Sequence, residues 1–122
     1  MARKVLIVDD AMFMRAMIRD ILINSGQWEV VGEASNGRES LELYRTMKPD
    51  LVTMDIVMPQ MDGIEATKEI LKSDPKAKVV MCSALGQEAL VIESIAVGAK
   101  DFIVKPFSAE KVLKVLDAVV SE

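Results

Sequence analysis

The feature that most constrains this chain is a recurrence of short apolar runs rich in Val and Ile: Val5 to Val8, Glu29 to Ala34, Leu51 to Met54, Val79 to Cys82 and Phe102 to Val104. They are mostly continuous rather than alternating, the pattern of strands covered on both faces of a parallel sheet. Between them lie segments with helical period. From Ala11 to Gly26 the sets Phe13, Met17, Ile21 and Met14, Ile18, Leu22 each repeat every four residues, and Gly26 is placed to end the helix. Asn36 to Met47 carries Leu41, Leu43, Tyr44 and Met47 and stops before Lys48-Pro49, while Ile64 to Lys72 follows Asp62-Gly63 and stops before Asp74-Pro75. Gly86 to Val97 precedes Gly98, and Ser108 is an N-cap for a helix reaching Val120. Strand and helix alternate five times, which predicts an α/β fold: a doubly wound, five-stranded parallel sheet with five helices distributed over both faces. Periodicity leaves the strand order open. With no linker or repeat in view, residues 1–122 are read as one domain.

Composition narrows the chemistry. The chain has no histidine and a single cysteine, so zinc sites and every His-dependent catalytic arrangement are excluded within it. Cys82 lies inside an apolar run and is read as an inert buried thiol. A net charge of −4, with no block of Lys or Arg, argues against direct nucleic-acid binding. The 51% apolar content argues against a disordered tail. No signal peptide is visible and no apolar stretch approaches the ~20 residues that span a bilayer. The expectation is a cytoplasmic protein acting as a monomer.

Reactive residues fall at the carboxyl ends of the predicted strands. Asp9-Asp10 follow Val8, Asp55 follows Met54, Ser83 follows Cys82 and Lys105-Pro106 follow Val104. In an open parallel sheet these ends share one edge, where such folds bind ligands. Singly, each residue has an ordinary structural role available: Asp9 or Asp10 as a helix cap, Asp55 in a turn, Ser83 bonded to nearby backbone, Lys105 solvated. Jointly, they bring three carboxylates, a hydroxyl and an ammonium to one rim. Hard oxygen ligands without His or Cys suit magnesium, and a cation beside Lys105 would make a pocket for a phosphoryl group. Asp55 is then the candidate nucleophile, forming an acyl phosphate, with Ser83 donating to a phosphoryl oxygen.

The runs Leu6-Ile7-Val8-Asp9-Asp10, Val52-Thr53-Met54-Asp55-Ile56-Val57-Met58-Pro59, Asp62-Gly63, Cys82-Ser83-Ala84 and Phe102-Ile103-Val104-Lys105-Pro106-Phe107 resemble the receiver domain of two-component response regulators. The resemblance covers nearly the whole chain. Within that family, Met12-Phe13-Met14-Arg15 and Gly98-Ala99-Lys100-Asp101-Phe102 are most similar to the stand-alone chemotaxis regulators. It implies the flavodoxin-like strand order 2-1-3-4-5, carried over from the known fold of the family. It also implies that Asp55 accepts a phosphoryl group from a phosphohistidine on a sensor histidine kinase of the chemotaxis type. Magnesium (Mg2+) would be held by Asp10 and Asp55, by the main-chain carbonyl of Val57, and by Asp9 through water. Lys105 would pair with the phosphoryl group or, in its absence, with Asp55, and Lys105-Pro106 would be a cis bond. Ser83 and Phe102 would form the switch, read out over the last two helices and the fifth strand by a flagellar motor switch protein or another output protein. Such a regulator assists its own phosphorylation and dephosphorylation rather than turning over a substrate. Val57 and Leu85, two residues beyond Asp55 and Ser83, are apolar and cannot orient a water, so slow self-hydrolysis and a separate phosphatase are expected.

Other readings fit less well. An aspartate-nucleophile phosphatase needs a second acid where Val57 stands and a cap domain for which no residues remain. A flavin carrier would meet repulsion between its phosphate and Asp9-Asp10. A phosphorelay carrier, or the receiver part of a larger transcriptional regulator, would share these residues. Trp28 falls at the opposite edge from the site and receives no function; Met58 and Met61, beside Asp55, are read as packing.

Overall fold

The computed structural model describes residues 2–122. Strands and helices alternate throughout: β1 (Arg3–Val8), α1 (Met12–Ser25), β2 (Trp28–Ala34), α2 (Gly37–Met47), β3 (Leu51–Asp55), α3 (Gly63–Ser73), β4 (Val79–Ser83), α4 (Glu88–Ala96), β5 (Asp101–Val104) and α5 (Ala109–Val120). All strand pairs are parallel and the order is β2-β1-β3-β4-β5, the flavodoxin-like arrangement that the resemblance implied. β1 and β2 slip register between Val5 and Leu6, leaving Val31 as an extra residue on β2.

The continuous apolar runs serve two cores because side chains alternate across a strand. Leu6, Val8, Val52, Met54, Val79 and Met81 point to one face, where α2, α3 and α4 cover them. Val5, Ile7, Leu51, Val80, Cys82 and Ile103 point to the other, packed with Ile18 and Leu22 of α1 and Leu116 of α5. Helix ends follow the local signals. Gly26 (φ 74°) closes α1, and Asn36, Asp62 and Ser108 cap α2, α3 and α5 through their side chains.

Two positions in the helical patterns face outward instead. Phe13 is 70% exposed and Met47 42% exposed, because the buried stripe of α1 runs through Ile18 and Leu22 and that of α2 through Gly37 and Ser40. Trp28 is buried at the start of β2, and its Nε1 donates to Asp117 of α5 at 3.3 Å. None of the described helices is long and apolar enough to cross a membrane.

Candidate functional site

The pleat of the sheet assembles the site. Asp9, Asp55 and Lys105 continue the parity of Ile7, Leu51 and Ile103, so all three lie on the α1–α5 side of the strand ends. Lys105 Nζ donates to Asp9 Oδ2 at 3.1 Å and to Asp55 Oδ1 at 3.2 Å. One carboxylate oxygen each from Asp9, Asp10 and Asp55 lies within 4.8 Å of the others, with Asp9 and Asp55 buried and Asp10 at the surface. Asp9 does not cap α1, whose N-cap is Ala11 without a side-chain bond; its Oδ1 accepts from the Ala11 N–H at 2.9 Å instead.

Three carboxylates against one ammonium leave the cluster with two excess negative charges. At 4.8 Å, each ionised pair repels by about 3 kcal/mol at an effective dielectric near 20. Burial, and then Asp9, push the Asp55 carboxyl from its ordinary 3.8 up to about 6, against the opposing pull of Lys105. Burial opposes the charge on Lys105 too, but Asp55 and Asp9 outweigh it and raise its pKa. One ammonium serves two carboxylates and satisfies neither fully. The donor set is all oxygen, partly open to water and over-charged, which is what a hard divalent cation requires.

The loop between Asp55 and α3 is held tightly. Gly63 N–H donates to Ile56 O at 2.7 Å, and a Cβ on Gly63 would stand 2.0 Å from the carbonyl oxygen of Asp55. Only glycine permits that approach, so Gly63 fixes where the loop carrying Val57 leaves the strand. In the sequence Asp62-Gly63 counted as part of the family resemblance and, by itself, only as a turn signal. Within the loop Val57 is exposed while Met58 is buried as packing. Thr53, two residues before Asp55 and of the same parity, has a buried hydroxyl without a hydrogen-bond partner. Cys82 is buried, and burial pushes its thiol up to about 12, consistent with an inert side chain.

Ser83 has the opposite parity. Its carbonyl accepts from the Lys105 N–H at 2.7 Å, while the residue lines a hollow of about 440 Å³ on the α4 side together with Leu85, Ile92, Ile95, Phe102 and Val104. The β4–α4 loop above it is clasped by Gln87, whose Oε1 accepts from the Ala84 N–H at 2.7 Å. Phe102 is 38% exposed and Leu85 79% exposed. The Lys105-Pro106 bond is cis.

The chain matches the response regulator receiver domain family over residues 5–117. It is 60% identical over 119 residues to a chemotaxis protein CheY of Thermotoga maritima, covering 98% of each chain. Among solved structures, the response regulator domain of Thermotoga maritima CheB superposes with a TM-score of 0.92 at 38% identity, over 100% of this chain and 98% of that one. The CheY of a CheX–CheY–BeF3–Mg complex from Borrelia burgdorferi superposes with a TM-score of 0.89 at 40% identity, over 96% of this chain and 88% of that one.

Proposed function

We propose, from the premise that the chain belongs to the response regulator receiver family and is similar to the chemotaxis regulators within it, that Asp55 is its phosphoryl acceptor. CheY-like receiver domains are signalling proteins rather than classical enzymes. The observation that carries the reading is the convergence of Asp9, Asp10, Asp55 and Lys105 at the ends of three strands. An Asp55 oxygen attacks phosphorus, an O–P bond forms, and the P–N bond to the donor histidine breaks, its electron pair returning to the ring. Lys105 gives up its bonds to the carboxylates and donates to the incoming phosphoryl oxygens.

Receiver domains bind magnesium at an acidic pocket, and the cluster fits that ion in charge and donor type. Asp10, Asp55 and the Val57 carbonyl would hold it, with Asp9 acting through water. When bound, magnesium neutralises the excess charge and polarises the phosphoryl oxygens.

Phosphorylation would draw the Ser83 hydroxyl toward the phosphoryl group, and Phe102 would turn into the hollow, altering the face formed by α4, β5 and α5. That face would engage a flagellar motor switch protein or another output protein, and a chemotaxis-type histidine kinase would supply the phosphoryl group. The exposed apolar side chains of Val57 and Leu85 offer no hydrogen bond to a hydrolytic water, in keeping with slow self-hydrolysis and a separate phosphatase. The test is intact-mass measurement after incubation with acetyl phosphate and magnesium. The wild type should gain one phosphoryl group and Asp55→Asn none; a phosphorylated mutant overturns the assignment.

A further inference from the structure

Arg15 touches no carboxylate of the acidic cluster, yet it is tied to the cluster's backbone. Its Nη1 donates to the main-chain oxygen of Asp9 at 2.6 Å, and its Nε donates to Glu33 Oε1 at 3.3 Å. Glu33 is itself fixed by a second guanidinium, accepting from Arg19 Nη1 at 2.8 Å. The Arg15 side chain is only 16% exposed, so its charge-assisted bonds are little screened. The oxygen it holds belongs to the planar peptide that joins Asp9 to Asp10. Fixing that oxygen fixes the plane, and with it the Cα from which the Asp10 side chain departs. Asp10 lies at the surface and enters none of the salt bridges among the described residues, so its aim depends on this backbone.

We infer that Arg15, locked in place by Glu33, is a positioning residue for the divalent-cation site: it orients the Asp9–Asp10 peptide so that both carboxylates converge with Asp55. Because Arg15 binds a peptide oxygen, it takes up no carboxylate lone pair of the cluster. A cation paired directly with Asp10 would compete with the metal. The inference rests on the magnesium reading above.

The experiment is calorimetric titration of magnesium into the metal-free full chain, at a temperature where circular dichroism shows each variant folded. Arg15→Ala should weaken binding by about tenfold, the range seen when groups that orient metal ligands are removed. Arg15→Lys, which keeps a cationic donor within reach of the Asp9 oxygen, should recover most of that loss. Arg19→Ala, which frees one Glu33 oxygen but leaves the Arg15 bond to the Asp9 oxygen in place, should lose distinctly less affinity than Arg15→Ala. A merely structural role for Arg15 would lower the unfolding midpoint and leave the affinity of the folded protein unchanged. Should Arg15→Ala not fold, Arg15→Gln replaces it with the same expectation. Wild-type affinity in the neutral Arg15 variant, or an equal loss in Arg19→Ala, overturns the inference while the magnesium reading stands. A wild type that binds no magnesium overturns both.

Discussion

The ends of β4 and β5 feed two regions that lie back to back and differ in nearly every physical respect. On the α1–α5 side, Lys105 reaches Asp9 and Asp55 in a polar pocket with an excess of negative charge. On the α4 side, one residue away along each strand, Ser83, Phe102 and Val104 line an apolar hollow of about 440 Å³. In the first region Asp9, Asp55 and Lys105 are tied to one another, and Asp9 also accepts from the backbone. The second is under-filled, with Ile92 70% and Leu85 79% exposed. A parallel sheet can therefore keep a charged pocket and an apolar hollow at adjacent residues without mixing them, because the pleat sends neighbours to opposite faces.

If this division is right, substitutions in the polar pocket should act on charge and those in the hollow should not. The largest effect is expected from Lys105→Met, which leaves two buried carboxylates without their cation. The loss should be about 3 kcal/mol in urea denaturation with chelator at neutral pH, the low end for breaking a buried pair. Magnesium should restore much of it. Loss under 0.5 kcal/mol would mean that Lys105 is not what compensates the pocket.

Next comes the pH dependence of the metal-free protein. The folded chain holds the Asp55 proton up to about 6, against an ordinary 3.8. Between those values the folded state binds more protons than the unfolded, so this group removes stability as pH rises through the window and costs about 3 kcal/mol or less above it. Asp55→Asn lacks that penalty. The difference in unfolding free energy between Asn variant and wild type should grow from pH 4 to pH 7 in favour of the variant, and a flat difference refutes the desolvated-charge picture.

Smaller is the response to magnesium itself. With free ion at about ten times its dissociation constant, mass action adds roughly 1.4 kcal/mol, or about 3 to 6 °C in melting temperature for a domain this size. Asp10→Asn should abolish most of that rise in a thermal melt; an unchanged rise would remove Asp10 from the ligand set. The smallest effect belongs to the hollow. Ile92→Glu should change stability by no more than about 0.5 kcal/mol and leave both magnesium response and acetyl-phosphate uptake as in the wild type. A loss of uptake would show that the two regions are coupled before phosphorylation.

What the sequence made legible follows the same boundary. The strand ends, their carboxylates and Lys105 could be read because apolar runs end abruptly at charged residues, and every element lies within two residues of its expected span. The strand order could not, since period and composition carry no information on which strands neighbour one another; only family resemblance supplied it. Within the site, Gly63, Thr53 and Arg15 stand in the motifs that carry the resemblance, yet their roles were not legible, for a common reason. Their roles depend on distances across the fold: a carbonyl oxygen where Gly63 would carry a Cβ, a hydroxyl left alone beneath Asp55, and a guanidinium reaching back to the Asp9 backbone. Phe13 shows the converse. Its four-residue spacing from Met17 suggested a buried stripe, but the buried face of α1 is the one carrying Ile18 and Leu22, and the Phe13 ring faces solvent.

The extra residue Val31 on β2 has a bearing on how this chain behaves among its own copies. β2 stands at the margin of the sheet and, at seven residues, is its longest strand, with one row of peptide groups facing outward. Such a row is a template onto which a neighbouring molecule could add a strand and begin a fibre. The slip at Val31 takes the row out of register, and the exposed Glu29 sets a negative charge on it. Both features work against margin-to-margin joining, and a deletion of Val31 that straightened the strand would make that edge stickier.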